Sequence, residues 1–527
     1  MAAKEPLRRS GGCAVKVTES YLGRSRFAPE RGDAEKRSEK SAEAVVASRR
    51  GQGLESRVGE GPNGRESETT VSPKHARRQK PEQLGLPLEG RGEAPRVQRS
   101  GEAPTLTNGE VRSGSDRLME QVVARGNVRV ALARVRENRG SPGVDGMTVD
   151  ELPKYLLEHW EEVREQLLGG TYQPKPVLRR EIPKRDGGMR ELGIPCVLDR
   201  LIQQAILQVL QPRFDPSFSQ HSYGFRPERS AHDAVLAAQR YVQEGRHWVV
   251  DVDLEKFFDR VNHDLLMGRL ARRISDSRLL RLIRRYLNAG MMADGVVMER
   301  PEGTPQGGPL SPLLANLLLD EVDKELEKRG HAFVRYADDC NVYVRSRRAG
   351  ERVMAALERM YAKLRLRVNR EKSKVELAHK RSLLSYSFWY AKGGTVRCRV
   401  APKAAYALKQ RVRQITRGSG GRSLRSVVAE LRKYLPGWKQ YFQLADTPGV
   451  FADHDKWIRH RLRALQLKQW KRGPRVYAEL RKLGVSSCAA AQAAACTRRW
   501  WHSAALYVHL GLTTRYYDRL GVPRLAD

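Results

Sequence analysis

The sequence predicts an α+β fold, in which a split βαβ sheet built around a two-acid hairpin is followed by a basic region of helical character. Three observations carry this expectation. Phe333, Arg335 and Ala337 alternate with Val334 and Tyr336, and Val342, Tyr343 and Val344 follow Asp338-Asp339, the pattern of a strand, a tight turn and a second strand. Val353, Ala356, Leu357, Met360, Tyr361 and Leu364 then keep helical spacing before the short apolar stretch of Lys374-Val-Glu-Leu, so strand, helix and strand alternate around the hairpin. Residues 391–527 hold 28 Lys and Arg against 7 Asp and Glu, with five of the eight tryptophans among them.

Charge defines the partner class. The chain has 527 residues and a net charge of +36, with a pI near 10.3, which points to a polyanion: nucleic acid first, a membrane surface as the rival. No run of 18 apolar residues is present and the basic N-terminus lacks an apolar signal core, so the expectation is a cytoplasmic protein with no membrane span. The six cysteines form no Cys-x-x-Cys pair and no zinc spacing with histidine, which predicts reduced, mostly packed thiols.

In chain order, residues 1–115 are rich in Arg, Glu, Gly, Ser and Pro with only Tyr21 and Phe27 as aromatics, a composition that predicts disorder; a basic arm touching RNA is the alternative. Val128, Ala131, Leu132 and Val135 predict a helix that Asn138-Arg-Gly-Ser-Pro-Gly breaks. From Tyr172 to Pro195, charged and apolar residues alternate around Gly187-Gly188, as in a hairpin. Trp248-Val-Val-Asp-Val-Asp253 is an apolar strand running into acids, 85 residues before Asp338. A sheet can bring Asp253, Asp338 and Asp339 to one edge, and hard carboxylate oxygens on a rigid scaffold suit two Mg²⁺ ions. Solvated strand-end acids account for Asp251 and Asp259 equally well. The loop Gly303-Thr-Pro-Gln-Gly-Gly-Pro is too rich in Gly and Pro for a strand and leads into a helix whose Leu313, Leu314, Leu317 and Leu318 face inward.

Tyr336-Ala-Asp-Asp339 and Asp253-Leu-Glu-Lys-Phe-Phe-Asp259 resemble the catalytic motifs of bacterial group II intron reverse transcriptase/maturases. Further blocks stand in that family's order: Ile182-Pro-Lys-Arg-Asp-Gly-Gly-Met-Arg190 to Pro195, Ser222-Tyr-Gly-Phe-Arg-Pro227, Gly303 to Pro312 and Asn369-Arg-Glu-Lys-Ser-Lys374. Ordered blocks over residues 116–527 are more specific than any one motif. The resemblance implies a right-hand polymerase with fingers, a βαβ-type palm carrying an antiparallel catalytic hairpin, and an α-helical thumb/maturase domain. It also implies two Mg²⁺ ions on Asp253, Asp338 and Asp339. Lys184, Arg190 and Gln306 match positions that contact the incoming nucleotide, and Phe258 matches the ring beneath the sugar, leaving Phe257 for the core. A solvated hairpin face, an ordinary loop amide and an apolar core pair are the plainer accounts of these residues.

The expected organisation is a disordered segment 1–115, N-terminal helices and fingers over 116–240, a reverse transcriptase domain (fingers plus palm) over 165–390, a thumb/maturase domain over 391–475 and a small basic, DNA-binding-like domain over 476–527. Trp457-Ile-Arg-His-Arg-Leu-Arg-Ala-Leu-Gln-Leu-Lys-Gln-Trp-Lys-Arg472 resembles the maturase-specific segment, and Arg459, Arg461, Arg463 and Lys468 are the candidates for RNA contact. Where the family carries a Phe-Leu-Gly-Phe-like primer-contacting segment, this chain has Leu383-Leu-Ser-Tyr386, with Ser385 for the glycine. No His-Asn-His motif follows, so the resemblance is to the endonuclease-lacking class. The implied partners are intron RNA, an RNA template, a DNA primer, target DNA and deoxynucleoside triphosphates. A reverse transcriptase of another role, such as host defence, and a non-catalytic RNA-binding splicing factor are the alternatives.

Overall fold

The computed structural model describes residues 117–183, 189–293, 296–298, 302–304, 307–417, 421–496, 500–505 and 507–526. The segment expected to be disordered lies outside them. In chain order the elements are α1 (Leu118–Val123), α2 (Arg125–Asn138), α3 (Leu152–Gly169), β1 (Val177–Pro183), β2 (Met189–Ile194), α4 (Val197–Phe214), α5 (Ala231–Gln243), β3 (Trp248–Val252), α6 (His263–Ala271), α7 (Ser277–Asn288), β4 (Met291–Ala293) and β5 (Val296–Met298). Then follow α8 (Ser311–Lys328), β6 (Ala332–Tyr336), β7 (Asp339–Val344), α9 (Arg347–Lys363), β8 (Lys374–Leu377), β9 (Tyr386–Tyr390) and β10 (Val396–Val400). The remainder is helical: α10 (Pro402–Ile415), α11 (Leu424–Tyr441), α12 (Pro448–Trp470), α13 (Gly473–Lys482), α14 (Ser487–Ala495) and three short helices from Trp500 onward.

The strands form a four-stranded sheet in the order β6-β7-β3-β8, a second in the order β2-β1-β4-β5, and the hairpin β9-β10, which spans residues 386–400. In the first sheet β3 is central, antiparallel to both β7 and β8. Alternation along its strands divides the apolar residues between two clusters. Val250, Val252, Phe333, Cys340 and Val342 pack with α8 and α9, where Leu313, Leu314, Leu317 and Leu318 are buried as expected. Val249, Val334 and Tyr343 face α5, the β9-β10 hairpin and the C-terminal helices. Helix starts follow local chemistry: Ser230 caps α5 through a reciprocal box with Asp233, Ser346 caps α9, and Pro402 and Pro448 open α10 and α12.

No helix of the described residues is long and apolar enough to cross a membrane. Of the five described cysteines, Cys196, Cys340 and Cys398 are buried, while Cys488 and Cys496 are exposed, so packing accounts for three of them.

A buried carboxylate stands between α4, α7 and the segment leading into β1. Asp199, in the first turn of α4, accepts hydrogen bonds from Tyr172 Oη (2.9 Å), Tyr286 Oη (3.2 Å) and the Lys175 backbone N–H (3.3 Å). Burial pushes its pKa up to about 6 in spite of these donors. The folded protein therefore binds a proton that the unfolded chain releases near pH 4, and stability declines as pH rises through that interval. Relative to Asp199→Asn, the wild type should lose about 2 kcal/mol between pH 4 and pH 7, measured by urea unfolding at each pH.

Candidate active site

Two strands carry the acids. β6 and β7 are joined by a two-residue turn, Ala337-Asp338, closed by the Tyr336–Asp339 pair. Ala337 adopts φ 57, the left-handed region, so the reversal is tight. β3 pairs with β7 through Val250–Val342, Asp251–Asn341 and Val252–Cys340. Continuing that register by one residue sets Asp253 opposite Asp339, on the same face, with Asp338 in the adjoining turn. The expected convergence on one sheet edge is what the pairing produces.

Asp253 is also clasped from behind. Its backbone N–H donates to Ser373 Oγ at 3.0 Å, and its carbonyl accepts from the Asn369 backbone N–H at 2.8 Å. Lys372 Nζ lies 3.8 Å from its carboxylate. The block Asn369 to Lys374, read from the sequence without a role, is the segment that fixes this aspartate. Two residues earlier, Asp251 pairs with Arg381 at 2.5 Å, a structural ion pair.

The turn carrying Asp338 rests on a buried cation. Arg335 is 1% exposed, and its five N–H groups meet five acceptor atoms. Nε and Nη2 donate to the Asp323 carboxylate at 2.6–2.8 Å, Nη1 to Asn316 Oδ1 and the Ala337 carbonyl at 2.8 Å each, and Nη2 to Ser222 Oγ at 2.8 Å. Asn316 Nδ2 in turn donates to the Gly224 carbonyl at 2.9 Å. The loop of Ser222-Tyr-Gly-Phe-Arg-Pro227 thus backs the hairpin: Tyr223 N–H donates to the Arg335 carbonyl at 2.9 Å. A Cβ at Gly224 would overlap the Ala337 backbone nitrogen, so only glycine fits there.

The adjoining wall is built by a loop lying on the Phe257–Asp259 turn. Phe257 is buried, while Phe258 is half-buried and packs beside it. Thr304 N–H donates to the Phe258 carbonyl at 2.7 Å, and a Cβ at Gly303 (φ 96) would stand 2.9 Å from the Phe258 and Asp259 carbonyl oxygens. A Cβ at Gly307 (φ 133) would stand 2.5 Å from the Gly193 carbonyl oxygen of β2. Arg190 lies on β2 with its backbone paired to Ile182, whereas Lys184 and Gln306 lie outside the described residues.

At the segment matching the family's primer-contacting block, Leu383 and Tyr386 exchange backbone hydrogen bonds of 2.9 and 2.8 Å around Leu384 (φ 49) and Ser385 (φ 67). Both central residues are left-handed, the backbone of a type I′ turn. Ser385 keeps the conformation that glycine adopts most easily, at a cost of about 1 kcal/mol. Tyr441 Oη holds the turn by donating to the Leu384 carbonyl at 2.9 Å.

The basic helix α12 requires a correction. Arg459, expected to contact RNA, is 4% exposed and pairs with Asp455 and Asp518 at 3.4 and 3.2 Å, because two carboxylates compensate its burial. Arg461 and Arg463 are half-buried, and desolvation lowers both of their pKa values; Arg461 donates to Thr416 Oγ1 and sits over Trp457 and Trp501. Lys468 is exposed, 4.5 Å from the Trp500 ring centroid. Trp438, Tyr441, Phe442 and Trp470 are core, and Trp500 and Trp501 are exposed.

The donor set fits a divalent oxygen-seeking ion. Among the described residues no group of three or more His, Cys, Asp or Glu side chains is gathered closely enough to hold a metal ion. Asp253, Asp338 and Asp339 supply hard carboxylate oxygens, the donor type Mg²⁺ takes together with substrate phosphates. Because Gly224 backs the turn, Gly224→Ala should displace the hairpin and destabilise the protein by about 1–3 kcal/mol in chemical unfolding, as overpacked sites do.

Residues 182–399 match the reverse transcriptase (RNA-dependent DNA polymerase) family, and residues 405–484 match the group II intron, maturase-specific domain. Protein YkfC of Escherichia coli K12 is 42% identical over 194 residues, covering 36% of this chain and 51% of that protein. The group II intron-encoded protein LtrA of Lactococcus lactis subsp. cremoris is 38% identical over 196 residues, covering 37% and 32%. The putative COX1/OXI3 intron 1 protein of Saccharomyces cerevisiae is 32% identical over 204 residues, covering 38% and 24%. The alignments thus span about half of the first relative and a third or less of the others. With a reverse transcriptase domain followed by the maturase-specific domain, the chain belongs to the group II intron-encoded reverse transcriptase/maturase family.

Proposed function

We propose that the protein is an RNA-directed DNA polymerase that copies intron RNA into DNA from a DNA primer and, as a maturase, assists splicing and mobility of that intron. The observation that carries this reading is the β3–β7 register, which puts Asp253 opposite Asp339 beside Asp338 inside the segment matching reverse transcriptases. Asp253, Asp338 and Asp339 would hold two Mg²⁺ ions, which when bound activate the primer hydroxyl and stabilise the leaving pyrophosphate. The acids' part is to present fixed oxygens, and the clasp on Asp253 and the brace beneath Ala337 provide the fixity. Lys184 and Arg190 supply positive charge for the triphosphate, Gln306 an amide in the nucleotide pocket, and Phe258 a ring under the sugar. On the maturase side, Arg461, Arg463 and Lys468 bind intron RNA together with the exposed Trp500 and Trp501, with Arg459 bracing the helix that carries them. The cytoplasm is the expected place of work.

The full chain with Mg²⁺ should extend a DNA primer on an RNA template, and Asp338→Ala should lower that rate to background while leaving splicing of the intron at low Mg²⁺ intact. Extension by the wild type no faster than by the variant would end the polymerase reading; splicing unaided by the wild type would end the maturase one. Phe258→Ala, if it melts like the wild type, should incorporate ribonucleotides more readily in single-nucleotide addition, and unchanged discrimination would return the ring to a packing role.

A further inference from the structure

We infer that Arg335 is a positioning residue for the metal-binding acids, setting the affinity of the hairpin for divalent ions through the Ala337 carbonyl. The inference rests on the polymerase reading above and concerns a residue that touches neither substrate nor ion. The peptide joining Ala337 to Asp338 has its oxygen on Ala337, and that oxygen accepts from Arg335 Nη1 at 2.8 Å. Holding the oxygen fixes the peptide plane, and the plane fixes the direction in which Asp338 leaves the backbone. Ala337 at φ 57 lies where residues with a Cβ are strained, so this plane needs an external hold.

The hold is rigid for stated reasons. Each of the remaining N–H groups of Arg335 is committed: to Asp323 and Asn316 on α8 and to Ser222 on the loop behind the hairpin. Asp323 is fully buried and compensates the charge, so the guanidinium adds little net repulsion toward cations arriving at the acids. The brace therefore acts through geometry. Lysine cannot reproduce it, because three donors on one nitrogen cannot span acceptors on α8, the turn and the loop. Such supporting residues typically govern metal affinity by 10- to 100-fold.

Three variants test this. Arg335→Lys keeps the charge and loses the fork. Arg335→Met with Asp323→Leu removes the ion pair as a unit, a replacement that buried pairs often tolerate, and leaves Ala337 without its donor. Ser222→Ala removes one hydroxyl that steadies the guanidinium. Mn²⁺ binding is measured by calorimetry on the full chain with a dideoxy-ended primer on an RNA template, so that no chemistry occurs. Thermal melting and template–primer affinity are followed in parallel. The Mn²⁺ dissociation constant should rise about tenfold in both Arg335 variants and less in Ser222→Ala, with template–primer affinity unchanged. A purely architectural role would reduce the folded fraction without moving the Mn²⁺ affinity of what remains folded. Wild-type affinity in folded Arg335→Lys, or in Ser222→Ala should neither Arg335 variant fold, overturns the inference. Wild type that binds Mn²⁺ no better than Asp338→Ala overturns the polymerase reading instead.

Discussion

The pairing of β3 with β7 is the constraint on which the rest of the molecule depends. Side chains alternate across a sheet with a period of two, so sliding either strand by one residue would turn Asp253 away from Asp339 and send Val250 and Val252 to the opposite face. The apolar residues of β3 forbid that slip: Val249 belongs to one cluster and Val250 and Val252 to the other, each with its own helices. The core thus enforces the geometry of the acids. β8, on the far side of β3, repeats the lock through Val249–Glu376 and Val250–Val375.

Positive charge serves two separate purposes in this strongly basic chain. Arg226, Arg335 and Arg459 are buried, and each pairs with a carboxylate and stitches segments together: Arg226 with Asp215, Arg335 with Asp323, Arg459 with Asp455 and Asp518. These are braces, and losing one partner would leave an uncompensated charge in the interior. Exposed cations such as Lys468 remain for a polyanion. Net charge therefore overstates the surface available for nucleic acid.

Much of the fold could be read from local pattern. The alternation on either side of Asp338-Asp339, the leucine spacing of α8 and the apolar face of α9 are properties of short segments, and they survive in the structure. Roles that depend on distant partners could not be read. Arg335 looks like a charge on a strand until Asp323, Asn316 and Ser222 surround it. Arg459 looks like its neighbours in a basic helix until Asp518 arrives from 59 residues away. Asp199 is one of many acids near helix starts, and only the tyrosines at 172 and 286 show it to be buried. Ser385 departs from the family pattern in residue type while its backbone stays in the glycine region, a distinction that the letter alone does not carry.

The clasp on Asp253 has a consequence for how the protein is made. Its partner Ser373 lies 120 residues further along the chain. At roughly 5–20 residues per second, a ribosome needs about 6–24 s to deliver that serine after the aspartate has been added. For about the first three quarters of this interval β3 has neither β7 nor β8 beside it, and after β7 (Asp339–Val344) has been made the β8 edge is still open. A nascent chain stopped before residue 373 would hold the acid motifs but not the segment that fixes Asp253. The decisive stage in maturation is therefore the release of residues 369–377, well after the motifs themselves have been synthesised.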